Sequence, residues 1–229
     1  PKPSRRLPAP ELRLVLAVSL DGRLAPADGG AAQLGGRGDR RALEEALAWA
    51  DACLIGARTL RLHGSTCLIH GQDLLAERRR QQRPDQPLAV VVSRSGDLDP
   101  ALPFFQQPLQ RWLLRPGGLG PLPSGFAREL PLEGWPEALQ ALGAAGLTRL
   151  VLLGGAELAG QLLQQQLVDA LQLTLCPQLL GGTHSWLPVA LGLEPNRWTL
   201  EEQRPLGGDE LLLRYRRLRA PAPALEPPP

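Results

Sequence analysis

Three cysteines in 229 residues, Cys53, Cys67 and Cys176, are too few and too scattered for a disulfide framework or a zinc site. They stand in apolar contexts and read as buried free thiols of a reducing compartment, so a cytoplasmic setting is expected and no metal is. No His-x-Glu with paired cysteines occurs, which excludes the zinc-deaminase pattern. No apolar run reaches the length of a membrane span, and no signal-peptide core opens the chain, so no membrane partner is expected. Neither sign of charge dominates: 25 basic residues face 23 acidic ones, and they are dispersed. A nucleic-acid surface is therefore not expected, and the run Arg78–Arg80 reads as the solvated face of a helix. Histidine is as scarce as cysteine, at His63, His70 and His184, and no internal repeat is present.

What is present is apolar. Hydrophobic residues make up 43% of the chain, enough for the core of one α/β domain. Residues 1–10 and 220–229 are Pro-rich and read as flexible tails around a domain spanning 11–219. The stretch Pro100–Pro136 is broken by prolines and glycines and reads as irregular, except for a strand at Arg111–Leu114. The five tryptophans are scattered, which suits core packing.

Three apolar runs end in turns suited to phosphate. Ala52–Ile55 runs into Gly56-Ala57-Arg58-Thr59, where a hydroxyl and a guanidinium can meet a phosphate. Leu88–Val92 runs into Ser93-Arg94-Ser95, two hydroxyls around an arginine, a set that suits a nucleotide 2′-phosphate. Val151–Leu153 runs into Gly154 and Gly155, followed by Leu158, Leu162, Leu163 and Leu167 at helical spacing. Glycines at a strand-to-helix turn let backbone N–H groups approach a phosphate, and the helix N-terminus adds partial positive charge. Ala170–Cys176 reads as a further strand, and Leu12–Val18 as the first. Asp39 reads as the N-cap of a helix over Arg40–Ala50 rather than as an acid. Asp21 opens an Asp-Gly turn.

These strings carry a resemblance. Ser19-Leu20-Asp21-Gly22-Arg23-Leu24-Ala25, the Gly154-Gly155 turn, Gln166-Leu167-Val168-Asp169-Ala170-Leu171 and Pro177–Gly182 resemble the C-terminal reductase domain of the bifunctional riboflavin-biosynthesis deaminase/reductase, a relative of dihydrofolate reductase. The resemblance implies a dihydrofolate-reductase-like α/β fold. Its sheet is mainly parallel, with helices on both faces and a C-terminal antiparallel hairpin near Asn196–Gln203 and Glu210–Arg216. It implies an NADPH-dependent 5-amino-6-(5-phosphoribosylamino)uracil reductase, standing alone and commonly dimeric. The cofactor would meet Ala17, Arg58, Thr59, Ser93, Arg94, Ser95, Gly154, Gly155, Ala156, Glu157 and Leu158. The substrate side would involve Asp21, His63, His70 and Leu153.

The departures gather on the substrate side. Leu153 stands where the resembled family usually carries Glu, and His63 and His70 stand where it usually carries Asp and Arg. The loop Gly29–Gln33 replaces a Gly-Glu-Ser string. A leucine cannot accept hydrogen bonds from an aminopyrimidine, and each N–H left unpaired costs about 1–3 kcal/mol. Two alternatives therefore stay open: reduction of another pterin- or pyrimidine-like molecule, or a non-catalytic nucleotide-binding protein. No catalytic acid stands out, which leaves water as the proton source.

Overall fold

The computed structural model describes residues 9–30, 34–117, 120–188 and 191–218. Residues 1–8 and 219–229 of the Pro-rich ends, and Ala31–Gln33 of the glycine loop, lie outside the described residues. Pro10, assigned from sequence to the N-terminal tail, is buried.

In chain order the elements are β1 (Glu11–Ser19), α1 (Arg37–Trp49), β2 (Ala52–Gly56), α2 (Ala57–His63), α3 (Gln72–Arg80), β3 (Leu88–Val92), β4 (Arg111–Arg115), β5 (Arg128–Pro131), α4 (Trp135–Ala144), β6 (Arg149–Leu152), α5 (Ala156–Gln164), β7 (Ala170–Cys176), β8 (Trp198–Gly207) and β9 (Glu210–Arg217). The strands form one sheet ordered β5-β4-β3-β2-β6-β1-β7-β9-β8. Every pairing is parallel except those made by β9 with β7 and β8.

β1 is a near-continuous apolar run because both its faces are covered, as parallel strands require. Leu12, Leu14, Leu16 and Val18 pack with Trp135 and Leu139 of α4 and Leu158 and Leu162 of α5. On the other face, Val15 meets Ala46 of α1, while Ile55 and Val91 meet Leu47, Leu60 and Leu75 of α1, α2 and α3. Helices thus lie on both faces, and β8–β9 is the expected antiparallel hairpin. Its two-residue loop, Gly208-Asp209, has positive φ at both positions, the geometry whose twist matches the flanking strands. Among the described residues no helix is long and apolar enough to cross a membrane.

Several expectations are corrected. Helix α1 begins two residues before Asp39, with Gly36 as N-cap, so Asp39 lies in the first turn and caps nothing. Helix α5 stops at Gln164 because Gln166 turns left-handed (φ 54°), and the Leu167 N–H then bonds the Leu162 carbonyl. The stretch Pro100–Pro136 holds β5 as well as β4, and α4 starts within it, with Pro136 in the first turn, where its missing N–H costs nothing. Arg78 is no surface residue: it is 1% exposed, while Arg79 and Arg80 are exposed. It donates to the carbonyls of Leu47, Ala48, Ala50 and Pro84, closing the C-terminal end of α1. Of the tryptophans only Trp135 is fully buried; Trp49 instead lies under the Arg13 guanidinium at 3.8 Å.

The amino ends of β2 and β6 are tied together by Asp51. Its carboxylate accepts from the Thr148 N–H (2.8 Å), the Thr148 hydroxyl (2.8 Å) and the Arg149 N–H (2.9 Å), and pairs with Arg83 at 2.7 Å. Burial pushes its pKa up, but these donors outweigh burial and hold it below the usual aspartate value. A depressed folded pKa gives stability that is present above the unfolded value and lost as pH falls through the folded one. Asp51→Asn is therefore expected to cost about 1–3 kcal/mol at neutral pH. In urea titrations at several pH values the gap from wild type should close toward acid; a gap of constant size would remove the charge from this account.

Candidate functional site

The carboxyl ends of β1, β2, β3 and β6 open into one cleft of about 2000 Å³. Open α/β sheets bind ligands at this end because the strand-to-helix turns meet there. The three phosphate-suited turns are brought together. Arg58 and Thr59, then Ser93, Arg94 and Ser95, then Gly154 through Leu158 all line the cleft, as does Ala17. Leu153 lies there half-buried and His63 exposed.

Asp21 and His70 do not line it. The Asp21 carboxylate accepts from the Ser19 hydroxyl and from the N–H groups of Leu180 (3.1 Å) and Gly181 (2.8 Å), so it clasps the turn after β7 to the turn after β1. The Ser19 hydroxyl is the main cause that holds it well below the usual carboxylate range. The His70 side chain is exposed, while its backbone N–H is held by Glu44 at 2.8 Å.

Helices α1, α2, α4 and α5 all turn N-terminal residues to the cleft, and the termini of α5 and α1 differ. Helix α5 starts at Gly155 with no side-chain cap, so the N–H groups of its first turn have no side-chain acceptor. Gly154 (φ 87°) and Gly155 (φ 84°) are left-handed, and a Cβ on Gly155 would come within 2.9 Å of the Thr59 hydroxyl. Side chains are thus excluded where backbone must approach a ligand. Helix α1 is filled instead: the Glu210 carboxylate on β9 accepts from the Gly36 N–H (2.5 Å) and the Asp39 N–H (3.3 Å). One terminus is neutralised from within the fold, and the other is left for an anion.

Around the open terminus stand exposed cations. Arg58 pairs with Glu157 across the cleft mouth at 3.1 Å, with both side chains mostly exposed. Arg94 is exposed and has no ion-pair partner among the described residues. Ser93 is buried and its hydroxyl accepts from the Gly96 N–H at 3.0 Å, while the Ser95 hydroxyl accepts from Asp97 N–H at 3.2 Å. These two bonds hold the turn in shape and leave each hydroxyl proton free to donate.

Sequence reasoning missed Asp39 as a cleft residue. Its half-buried carboxyl lines the floor, and a Cβ on Gly35 would meet it at 2.0 Å. Burial raises its pKa, the nearby Glu210 carboxylate raises it further, and the Thr174 hydroxyl opposes them. The one sequence signal was an aspartate in a first helical turn directly after a glycine-rich loop. Cys176 lies nearby, but burial pushes its thiol up to about 11, so it offers no thiolate at neutral pH. His184, read from sequence as structural, also lines the cleft.

One cleft therefore holds both the uncapped N-terminus of α5 and the half-buried Asp39 carboxyl. The family model described as RibD C-terminal domain matches residues 10–212. The riboflavin biosynthesis protein RibD of Escherichia coli (strain K12) is 26% identical over 228 residues, covering 89% of this chain. The chain spans 59% of that relative's length. A pyrimidine reductase-like protein from Corynebacterium diphtheriae superposes with a TM-score of 0.76 at 23% identity, covering 92% of this chain and 93% of the other. Dihydrofolate reductase from Enterococcus faecalis, complexed with NADP(H), gives a TM-score of 0.52 at 13% identity, covering 90% and 96%.

Proposed function

The chain belongs to the RibD C-terminal domain family, and from that premise we propose that it is an NADPH-dependent reductase of the 5-amino-6-(5-phosphoribosylamino)uracil type. The observation that carries this reading is the pairing, in one cleft, of an uncapped helix N-terminus with a carboxyl group held toward its protonated form. The residues present suit NADPH. The α5 terminus with Gly154 and Gly155 takes the pyrophosphate, Thr59 and Arg58 flank it, and the Ser93-Arg94-Ser95 turn takes the 2′-phosphate. Bound there, NADPH supplies the hydride. Asp39 gives its proton to the nitrogen of the opened ribosylamine as the sugar C1 is reduced, and takes another from solvent afterwards. Leu153 adds an apolar side chain to the wall beside that turn.

Arg58→Ala and Arg94→Ala together are expected to weaken NADPH binding about 10²–10⁴-fold, since each lost charge-assisted contact is worth about 1.5–3 kcal/mol. Isothermal titration with NADPH and NADH in parallel reads this, and Arg94→Ala alone should bring the two affinities closer. Unchanged NADPH affinity would remove the phosphate turns from the reading.

Leu153 supports a second reading. It presents no acceptor to an aminopyrimidine, which favours another pterin- or pyrimidine-like substrate with the same cofactor. Turnover across a panel beginning with the ribosylaminopyrimidine phosphate separates the two. A homodimer also belongs to the proposal. The half-buried Leu173, Leu175, Leu211, Leu213 and Tyr215, together on one face of β7 and β9, support it.

A further inference from the structure

The first turn of α1 is held by a residue far from it in sequence. Glu210 is 7% exposed and opens β9, yet it caps Gly36 and Asp39 through their N–H groups. The docking is tight: a Cβ on Gly38 would fall 2.2 Å from the Leu206 carbonyl of the hairpin. Two carboxylates are thereby brought to one helix terminus. Glu210 takes the N–H groups of that terminus, which sets its carboxylate beside the Asp39 carboxyl.

We propose that Glu210 is a positioning residue for the proton donor: it fixes the first turn of α1 at the cleft floor and, through its own charge, keeps Asp39 in its donating form. This rests on the reading of Asp39 as the donor. The ionisable groups facing Asp39 are Glu210 of β9, Cys176 of β7, Cys67 after α2, and Arg40 of α1 itself. Both thiols are pushed up by burial and stay neutral. The Arg40 guanidinium is drawn to Glu44 at 3.3 Å, which shares out the one opposing charge. Glu210 is therefore the only carboxylate acting on Asp39 among these groups.

The test is a carbon-13 titration of the side-chain carboxyls in the ligand-free protein, with the Asp39 signal assigned by Asp39→Asn. Wild-type Asp39 should titrate above the ordinary aspartate range. Glu210→Gln keeps an oxygen acceptor but removes the charge, and should lower the Asp39 midpoint by about one pH unit. Glu210→Asp keeps the charge and should retain most of the elevation. The alkaline limb of kcat should move with the midpoint. An Asp39 midpoint unmoved by Glu210→Gln, or a wild-type Asp39 signal that titrates in the ordinary aspartate range, overturns the proposal; the latter needs no variant to fold. If the midpoints behave as stated but no substrate turns over, the proposed function fails and the pairing stands. If Asp39→Asn abolishes turnover while Glu210→Gln moves neither midpoint nor profile, the pairing fails and the function stands.

Discussion

Asp39→Asn should lower kcat by about 10²–10⁴-fold, the usual contribution of a positioned general acid, while the affinity for NADPH stays near wild type. The split follows from placement. Asp39 stands on the floor of the cleft at α1, whereas the phosphate turns belong to β2, β3 and β6. Asparagine matches the carboxyl in shape and can still bond Thr174, so the floor keeps its packing; what is lost is a transferable proton. The pH dependence has a definite sign. A donor acts only while protonated, so wild-type kcat should hold below the raised Asp39 value and fall as pH rises through it. The residual rate of the variant should lack that limb. Single-turnover kinetics with bound NADPH isolate the step, and a variant with wild-type kcat would move the proton source elsewhere.

The second large effect is on stability. Arg78→Met keeps the aliphatic stem but removes every donor offered to the end of α1. Arg83 still serves Ala48, and the Ala50 N–H still reaches Leu47, so the carbonyls of Ala50 and Pro84 lose their side-chain donor. Buried acceptors left without partners cost about 1–3 kcal/mol each, and the cation that faced the helix's negative end is gone too. A loss of about 3 kcal/mol or more is expected, which lowers Tm by roughly 6–12 °C in a chain of this size. Urea midpoints measure it, with NADPH affinity as the control, because Ala50 precedes β2 at the end of the sheet away from the cleft. A loss below about 0.5 kcal/mol, the range of ordinary surface changes, would mean that the carbonyls find other donors.

How much of this was readable before the fold is instructive at particular residues. Leu88–Val92 and Ala170–Cys176 end where their apolar pattern ends, because both strands are interior and nothing competes with burial. The three strand-end turns were legible as turns because glycine, serine or arginine follows an apolar run in each case, and the fold brings them to one cleft. Asp39 and Arg78 were not. Each was assigned from its neighbours in sequence, and each takes its role from a distant partner: Asp39 from Glu210 on β9, Arg78 from the end of α1. Helix α4 was hidden by Gly134 and Pro136, which read as breakers but here open the helix. Asp21 and His70 looked like substrate residues by position along a string, and only the turn closures show that one is a clasp and the other faces solvent.

The place of β1 in the sheet also fixes an order of assembly. The first of the described strands lies between β6 and β7, whose residues begin at 149 and 170. Until β6 and β7 have been made, this long apolar strand does not have both of its neighbours to pair with. Contacts this distant close slowly, and an unpaired strand of leucines and valines is a template for association meanwhile. The cleft completes later still, since the carboxylate that caps α1 arrives with β9. The three strand-end turns are thus all made by residue 158, and the Glu210 cap of α1 only afterwards, with β9.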